Sequence, residues 1–558
     1  MERIDLLAAR ELGHGHAHAL AEVRFAHDLG QPSGERLCRR QSGGDEEPAQ
    51  GESDRATHGT NATRRPRPGA TATRLLVLGL ALTSCATAEE APATDATVVL
   101  LSRPAAQLDP RFTTDPVGLR VSRLLFASLV TLDPRSLEVI PDLAEEVVPE
   151  GDRAWRVRLR EGLRFSDGSA LDVEDVRATF EGVRDPLLGS PWASTYRRIE
   201  RIETLDGRTL RFVLDGPHAT FLTDLELPIV RAEDAARRGA RVGAGSHRLL
   251  RASDAEIVLA PNPTWHGGAP RYGRLRFVVV RDDNVRAMRL RGGGADLALG
   301  TVPPMLVPLF EDDPRFVVRS VPGTGTVYLG VNGDAPGLDA AARRALCRAL
   351  DRAALVEAKL AGRGRVAHSW IPAGHWAEAP VTTPAFALPA ARAHFAAHPL
   401  GRRLVLRTSS DRFRVSTALA LAAMLGRAGV EVDVRPSENA SFLADLGAGR
   451  FDLALLEVPE VFEPHVLSWF FASDRIPGGG RAGANRWRFR SPALDAALER
   501  GRVGSSRGSR RAAYREVQQI LAEALPVLPL MQREQVAVMR RGLDVDVPRD
   551  GRFGTLAR

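Results

Sequence analysis

The sequence predicts an α/β fold spread over more than one domain. Three observations carry this. Short runs with strand patterning alternate with stretches of helical period along most of the chain, and no short internal repeat intervenes, which favours α/β lobes over a solenoid, propeller or bundle. Apolar residues make up 44% and charged residues 26%, near the globular average, so wholesale disorder is excluded. The 558 residues allow for two to four domains at roughly 100–200 residues each.

The elements follow in order. Val98–Ser102 is an apolar run that reads as a buried strand, and Val121–Leu132 reads as a helix. Trp155–Arg160 alternates with period two, as a half-exposed strand does. Ser166–Gly168 makes a turn. Val173–Arg184 is a helix with Val173, Val176, Phe180 and Val183 on one face. Arg201–Leu214 carries a hairpin signal at Asp206-Gly207. Ile257–Leu259 and Leu275–Val280 are further strands, and Asp339–Ala361 is one strong helical stretch. Leu404–Leu406, Ser416–Ala428 and Val430–Val434 form a strand–helix–strand unit. Leu494–Arg500 and Arg511–Leu525 are helices, and Val527–Leu530 is a strand framed by prolines.

The net charge of +7 is almost wholly arginine, with Lys359 the sole lysine. These arginines alternate with acids instead of gathering in a stripe, so nucleic acid is not expected as a partner. No Gly-Lys-Ser/Thr loop is present, which excludes a P-loop ATPase. There is no His-Glu-x-x-His helix. Cys38, Cys85 and Cys347 fit no zinc or disulfide framework, and Cys347 lies in an apolar helical pattern that suits a core position.

Residues 1–70 read poorly as a domain. The histidines of His14–His18 could bind a metal weakly, but a solvated tail is the simpler reading. Arg64, Arg65, Arg67 and Arg74 then precede the apolar run Leu75–Leu82. That run is too short for a bilayer, which needs about 20 residues, but it suits a signal peptide. It ends Leu82-Thr83-Ser84-Cys85. This resembles the lipobox of bacterial lipoproteins, which implies lipidation at Cys85; the alternative is an ordinary secretory signal with a chance cysteine. Residues 71–85 are then the end of the signal peptide, 86–97 a polar tether, and 1–70 a disordered or mis-annotated leader. Translation is expected to begin near residue 60.

Several motifs in the remaining chain occur together. Pro141-Asp-Leu-Ala-Glu-Glu146 is followed by Trp155-Arg-Val-Arg-Leu-Arg-Glu-Gly-Leu-Arg-Phe-Ser-Asp-Gly168 and Val173-Glu-Asp-Val176. Gly243-Ala-Gly-Ser-His-Arg-Leu249, Asn262-Pro-Thr-Trp-His-Gly-Gly268 and Asp351-Arg-Ala-Ala-Leu-Val356 come after them. Their number and order resemble the family 5 extracytoplasmic solute-binding proteins, which include the dipeptide- and oligopeptide-binding components of ABC importers. The resemblance covers nearly all of residues 98–545. It implies a periplasmic-binding-protein-like α/β fold of two lobes joined by a hinge (type II, cluster C), with an extra domain on the first lobe. Lobe I is then expected from 98–123, 240–325 and 526–550, the extra domain from 124–239, and lobe II from 326–525.

The resemblance also implies site residues. Peptide-binding members hold the peptide's α-amino group with an acidic residue three positions before an Asp/Glu-Pro pair. Glu460-Val-Phe-Glu463-Pro464 puts Glu460 there. A buried ammonium needs such a countercharge, and the alternative is an exposed loop carboxylate. Trp192 and Tyr196, in Ser190-Pro-Trp-Ala-Ser-Thr-Tyr196, are candidate pocket walls, as are Tyr328 and, four residues on, Asn332 near the interlobe strand. For each aromatic, plain packing is the alternative. The chain departs from some oligopeptide binders where Ala440 replaces a pocket tryptophan and Leu455 an arginine that can pair with a ligand carboxylate. Arg450 lies close enough in sequence to substitute. His394 and His398 read as a surface pair, and Gly292–Gly294 as a helix end.

The implied function is capture of peptide, or a related small solute, between two closing lobes and delivery to an ABC permease, with permease and ATPase on separate chains. No enzyme activity, cofactor or metal is expected. The protein is expected to be a monomer, extracytoplasmic and lipid-anchored to a bacterial membrane. The competing reading is a sensor or scaffold lipoprotein of the same fold that signals through a partner.

Overall fold

The computed structural model describes residues 96–458, 460–478, 483–504 and 506–558. Cys85, the leader 1–70, the signal segment 71–85 and most of the tether lie outside the described residues. The tether ends sooner than expected, because Ala96 and Thr97 already belong to the first strand, Ala96–Leu101.

Two long antiparallel strands organise the molecule. Phe316–Val331 and Val527–Arg540 pair with each other along most of their length. At one end of this ribbon, Leu297–Leu299 pairs with residues 537–539 and extends the sheet through Ala96–Leu101, Arg274–Val279, Glu256–Pro261 and His247–Ala252. At the other end, Leu453–Val458 pairs with residues 326–331 and extends it through Leu404–Ser409 to Val432–Ser437. Each end thus carries half of a mixed sheet. The register slips between Pro322 and Thr326, where the two halves meet. This is the two-lobe periplasmic-binding-protein fold, with the ribbon as the connection.

Both halves are buried on both faces, and strand alternation shows how. In the first half, Val99 and Leu101 enter one core while Leu100 enters another. In the second half, Val327, Leu329 and Val331 face one core and Tyr328 the opposite one. Helices cover these faces. Gly330 is required by packing: a Cβ there would lie 1.9 Å from the Trp487 ring.

A separate four-stranded antiparallel sheet, ordered Ala144–Glu150, Ala154–Leu159, Thr209–Leu214 and Ile199–Asp206, packs on the helix Val173–Arg184 over its own core. Arg111 is fully buried beside it. Its guanidinium binds Asp109 at 2.7 Å and donates to the carbonyls of Asp234, Ala235 and Arg237. Every donor so engaged offsets part of the cost of burying the charge.

Several expectations needed correction. The predicted helix Val121–Leu132 is a helix at Pro116–Leu125 followed by a loop and the strand Val130–Leu132. Asp115 sets the start by accepting from the Gly118 N–H at 2.7 Å, with Pro116 at the first helical position. The stretch Asp339–Ala361 is two helices, Ala340–Ala349 and Arg352–Leu360, since Asp351 caps the second. The strand foreseen at Val527–Leu530 runs on to Arg540. Cys347 is fully buried in a core, as its pattern implied, and burial pushes its thiol pKa up.

Candidate functional site

Glu460 lies two residues beyond the strand Leu453–Val458. It is buried, at 4% exposure, so the reading as an exposed loop carboxylate does not hold. The helix Pro116–Leu125 buries Val117, Val121 and Leu124 in the first-half core and turns Arg120 and Arg123, three apart and on one face, the other way. The C-terminal segment adds Asp550 and Arg552, and Glu226 follows the short helix Phe221–Asp224.

These six side chains form one ionic cluster, with Glu226, Glu460, Asp550 and Arg552 buried and Arg120 and Arg123 partly exposed. Arg120 stands 3.6 Å from Glu460, and Arg123 is 3.3 Å from Glu226. Arg552 grips Glu226 with both terminal nitrogens and lies 3.2 Å from Asp550. The guanidinium of Arg552 also sits over the Phe462 ring, 4.9 Å from its centre. Three cations face three carboxylates, so the cluster balances in formal charge. Burial pushes the pKa of Glu460 upward, against the pull of Arg120, Arg552 and Arg123. Asp550 is raised for the same reason. Burial also lowers Arg123, helped by repulsion from Arg552. Arg552 is itself desolvated, yet Glu226 and Asp550 outweigh that and raise its pKa.

Two cavities flank this segment. One, of about 320 Å³, is lined by Trp155, His218, Trp376, Phe462, Glu463 and Arg510, among others. The other, of about 250 Å³, is lined by Arg123, Glu226, Asp550, Arg552, Phe126 and Trp265, among others. Leu132 lines both, so they are neighbours. Aromatic walls with a few convergent charged groups are the usual make-up of a small-ligand site, and the larger cavity falls within the usual size range. In it, Arg510 pairs with Glu463 and donates to the Gly501 carbonyl at 3.0 Å. Behind it, His375 Nε2 is 2.8 Å from the Phe462 carbonyl, and burial depresses its pKa to about 4. A neutral imidazole there donates to that carbonyl and anchors the segment that follows Glu460.

The other residues singled out from sequence lie elsewhere. Trp192 and Tyr196 are in the core of the four-stranded sheet; the Tyr196 hydroxyl donates to the Asp224 carbonyl at 3.1 Å, and its ring meets Phe180 edge-on. Tyr328 is wedged between Trp370 and Trp487. Asn332 donates to the Phe451 carbonyl at 2.9 Å and accepts from the Asp334 N–H at 3.1 Å. None of these four is in the wall of either cavity. Leu455 is a core residue, and Arg450 is an exposed partner of Asp445. Sequence reasoning missed Arg120, Arg123, Glu226, Asp550, Arg552 and Trp376. The Asp550-Gly551 turn signal was the one local cue; nothing in period or spacing marks a charge for burial.

Comparison with known proteins gives a consistent picture. Residues 138–475 match the family model described as bacterial extracellular solute-binding proteins, family 5 middle. Protein XP55 of Streptomyces lividans is 32% identical over 71% of this chain and 76% of its own length. Di/tripeptide-binding protein 2 of Pseudomonas aeruginosa is 27% identical over 73% of this chain and 83% of its own. Among solved structures, the oligopeptide-binding protein AppA of Bacillus subtilis, in complex with a nonapeptide, superposes with a TM-score of 0.69 at 20% identity. It covers 83% of this chain and 98% of that one.

Proposed function

The chain belongs to the family 5 bacterial extracellular solute-binding proteins, and we propose that it captures peptides and passes them to an ABC permease. Its role as an extracytoplasmic solute-binding component follows from the family. Among the described residues, no helix is long and apolar enough to cross a membrane. The peptide assignment rests on one observation above the rest: Glu460, at the position where peptide-binding members carry their amine-binding acid, is a buried carboxylate; it lines neither cavity itself, but its neighbours Phe462 and Arg552 each line one. A carboxylate in such a place favours a ligand that brings its own cation.

In this reading the halves of the sheet, each with its helices, are the two lobes, and they swing about the ribbon at the Pro322–Thr326 register slip. Closure removes the ligand from water and strengthens each polar contact. Trp376, Phe462 and Trp155 supply apolar walls for side chains, while Glu460 meets the α-amino group. Trp192, Tyr196, Tyr328 and Asn332 then support the walls from behind. The permease and ATPases are separate chains, the binding protein acts as a monomer, and lipidation at Cys85 holds it at the membrane.

The test is native mass spectrometry of the gently purified, exported protein, repeated with Glu460→Ala. A ladder of peptide masses that vanishes in the variant is the expected result. A single non-peptide mass would redirect the substrate while keeping the transport role. An empty protein that also ignores peptide libraries in a thermal-shift screen would sink the peptide reading and favour a sensor.

A further inference from the structure

We propose that Arg120 is a built-in stand-in for the ligand's ammonium: it neutralises Glu460 while the site is empty and is displaced when a ligand amine arrives, so that it sets the affinity threshold of the site. The inference rests on Glu460 being the carboxylate that meets the ligand's amine.

The cluster singles out Arg120 among its three cations. Arg552 is held on two sides, by Glu226 and by Asp550, and its side chain is only 8% exposed. Arg123 leans on Glu226 at 3.3 Å and donates to the Leu119 carbonyl. Arg120 meets Glu460 at 3.6 Å, well beyond the roughly 2.7–2.9 Å of a strong charge-assisted hydrogen bond. Its side chain is 21% exposed, against 5% for Glu460. The pair is therefore loosely made, and its cationic half is the one that reaches water. Returning a partly hydrated guanidinium to solvent costs less than extracting Arg552 from two carboxylates.

The partners also come from different places in the fold. Arg120 is on a helix packed against the first half of the sheet, and Glu460 follows a strand of the second half. The contact therefore joins the two halves of the sheet and adds a cation to those that already face the buried carboxylate. The backbone makes room for it. Gly551, with φ +66°, passes so close that a Cβ would lie 2.9 Å from an Arg120 nitrogen. With Arg120 in place a cation already answers Glu460, and an incoming amine gains only the difference between the two partners. An amine that also forms short hydrogen bonds wins this exchange, and a weakly placed one does not. The device thus filters ligands by how well their ammonium fits.

The test uses the full chain, stripped of co-purifying ligand by unfolding and refolding. The probes are a defined pool of di- and tripeptides with free amino termini and the same pool N-acetylated. Affinities are measured for wild type, Arg120→Met and Arg120→Lys. Arg120→Met is expected to tighten the free-amine pool about twofold to fivefold, the scale of a partly exposed ion pair removed from competition. The acetylated pool is expected to show no such gain. Arg120→Lys, with its shorter reach, should give a smaller gain and provides the readout if the methionine variant does not fold. Unchanged or weaker binding of the free-amine pool in the folded variants would overturn the inference, weaker binding meaning that Arg120 itself holds the ligand. If neither pool binds wild type or variants, the peptide reading falls and the inference with it. A crystal structure with a free-amine peptide should show the Arg120–Glu460 contact broken and the ligand nitrogen beside Glu460; persistence of the contact would also overturn it.

Discussion

Arg552 and Glu460 are both charges carried into dry space, and that decides what their substitution does. Removing Arg552 leaves Glu226 and Asp550 buried without their main cation. Arg552→Met should therefore cost about 3–5 kcal/mol of stability, measurable by urea unfolding. His375 gives a pH signature. Its folded pKa, about 4, lies below the unfolded value of about 6.5. Between these values the unfolded chain binds a proton that the folded one does not. Stability is thus full above about pH 6.5 and falls as the pH drops toward 4, by about 3 kcal/mol at most. In His375→Gln, which keeps a donor for the Phe462 carbonyl, that acid-side slope should flatten in unfolding measured from pH 4 to 7. Gly330→Ala should cost about 1–3 kcal/mol or more through overpacking, because its Cβ collides with Trp487. At this scale the sequence was only partly legible. Glu460 could be found because its offset from Glu463-Pro464 is local. Its arginine partners could not, since an arginine that faces a cavity and one that faces water have the same neighbours in the chain.

Elements were read best where local signals agreed. The helix Val173–Arg184 was legible to the residue because its apolar spacing coincides with a reciprocal cap between Asp172 and Asp175. The Pro116–Leu125 helix was misplaced because the apolar run past Leu125 continues into a loop and strand whose burial comes from tertiary contacts. Its true start depends on Asp115, and Asp115→Ala should lower stability by about 1 kcal/mol in thermal unfolding. The long strand Phe316–Val331 was not read from its own pattern and entered only as the interlobe strand that the resemblance places near Tyr328, since Pro322-Gly-Thr-Gly325 has the composition of a turn. In the fold this stretch is a bulge between the two halves. A side chain at Gly323 would come within 2.6 Å of the Arg533 carbonyl. Gly323→Val is accordingly expected to destabilise the ribbon and weaken solute binding together, a pairing of effects that calorimetry on one sample can detect.

On the scale of the whole molecule, two half-sheets hang on one ribbon. A solute bound between them adds ties that the unfolded chain lacks. At a hundredfold excess over its Kd it should stabilise the protein by about 2.7 kcal/mol, seen as a rise in melting temperature that grows with solute concentration. The α/β class, the family and the position of one acidic residue could be read along the chain, because strand and helix periods and short motifs are properties of neighbouring residues. That Arg120, Arg123, Glu226, Asp550 and Arg552 gather around Glu460 emerged on folding alone. They come from segments up to several hundred residues apart, and charges brought together out of water are sorted by the distances and desolvation that folding imposes, not by their order along the chain.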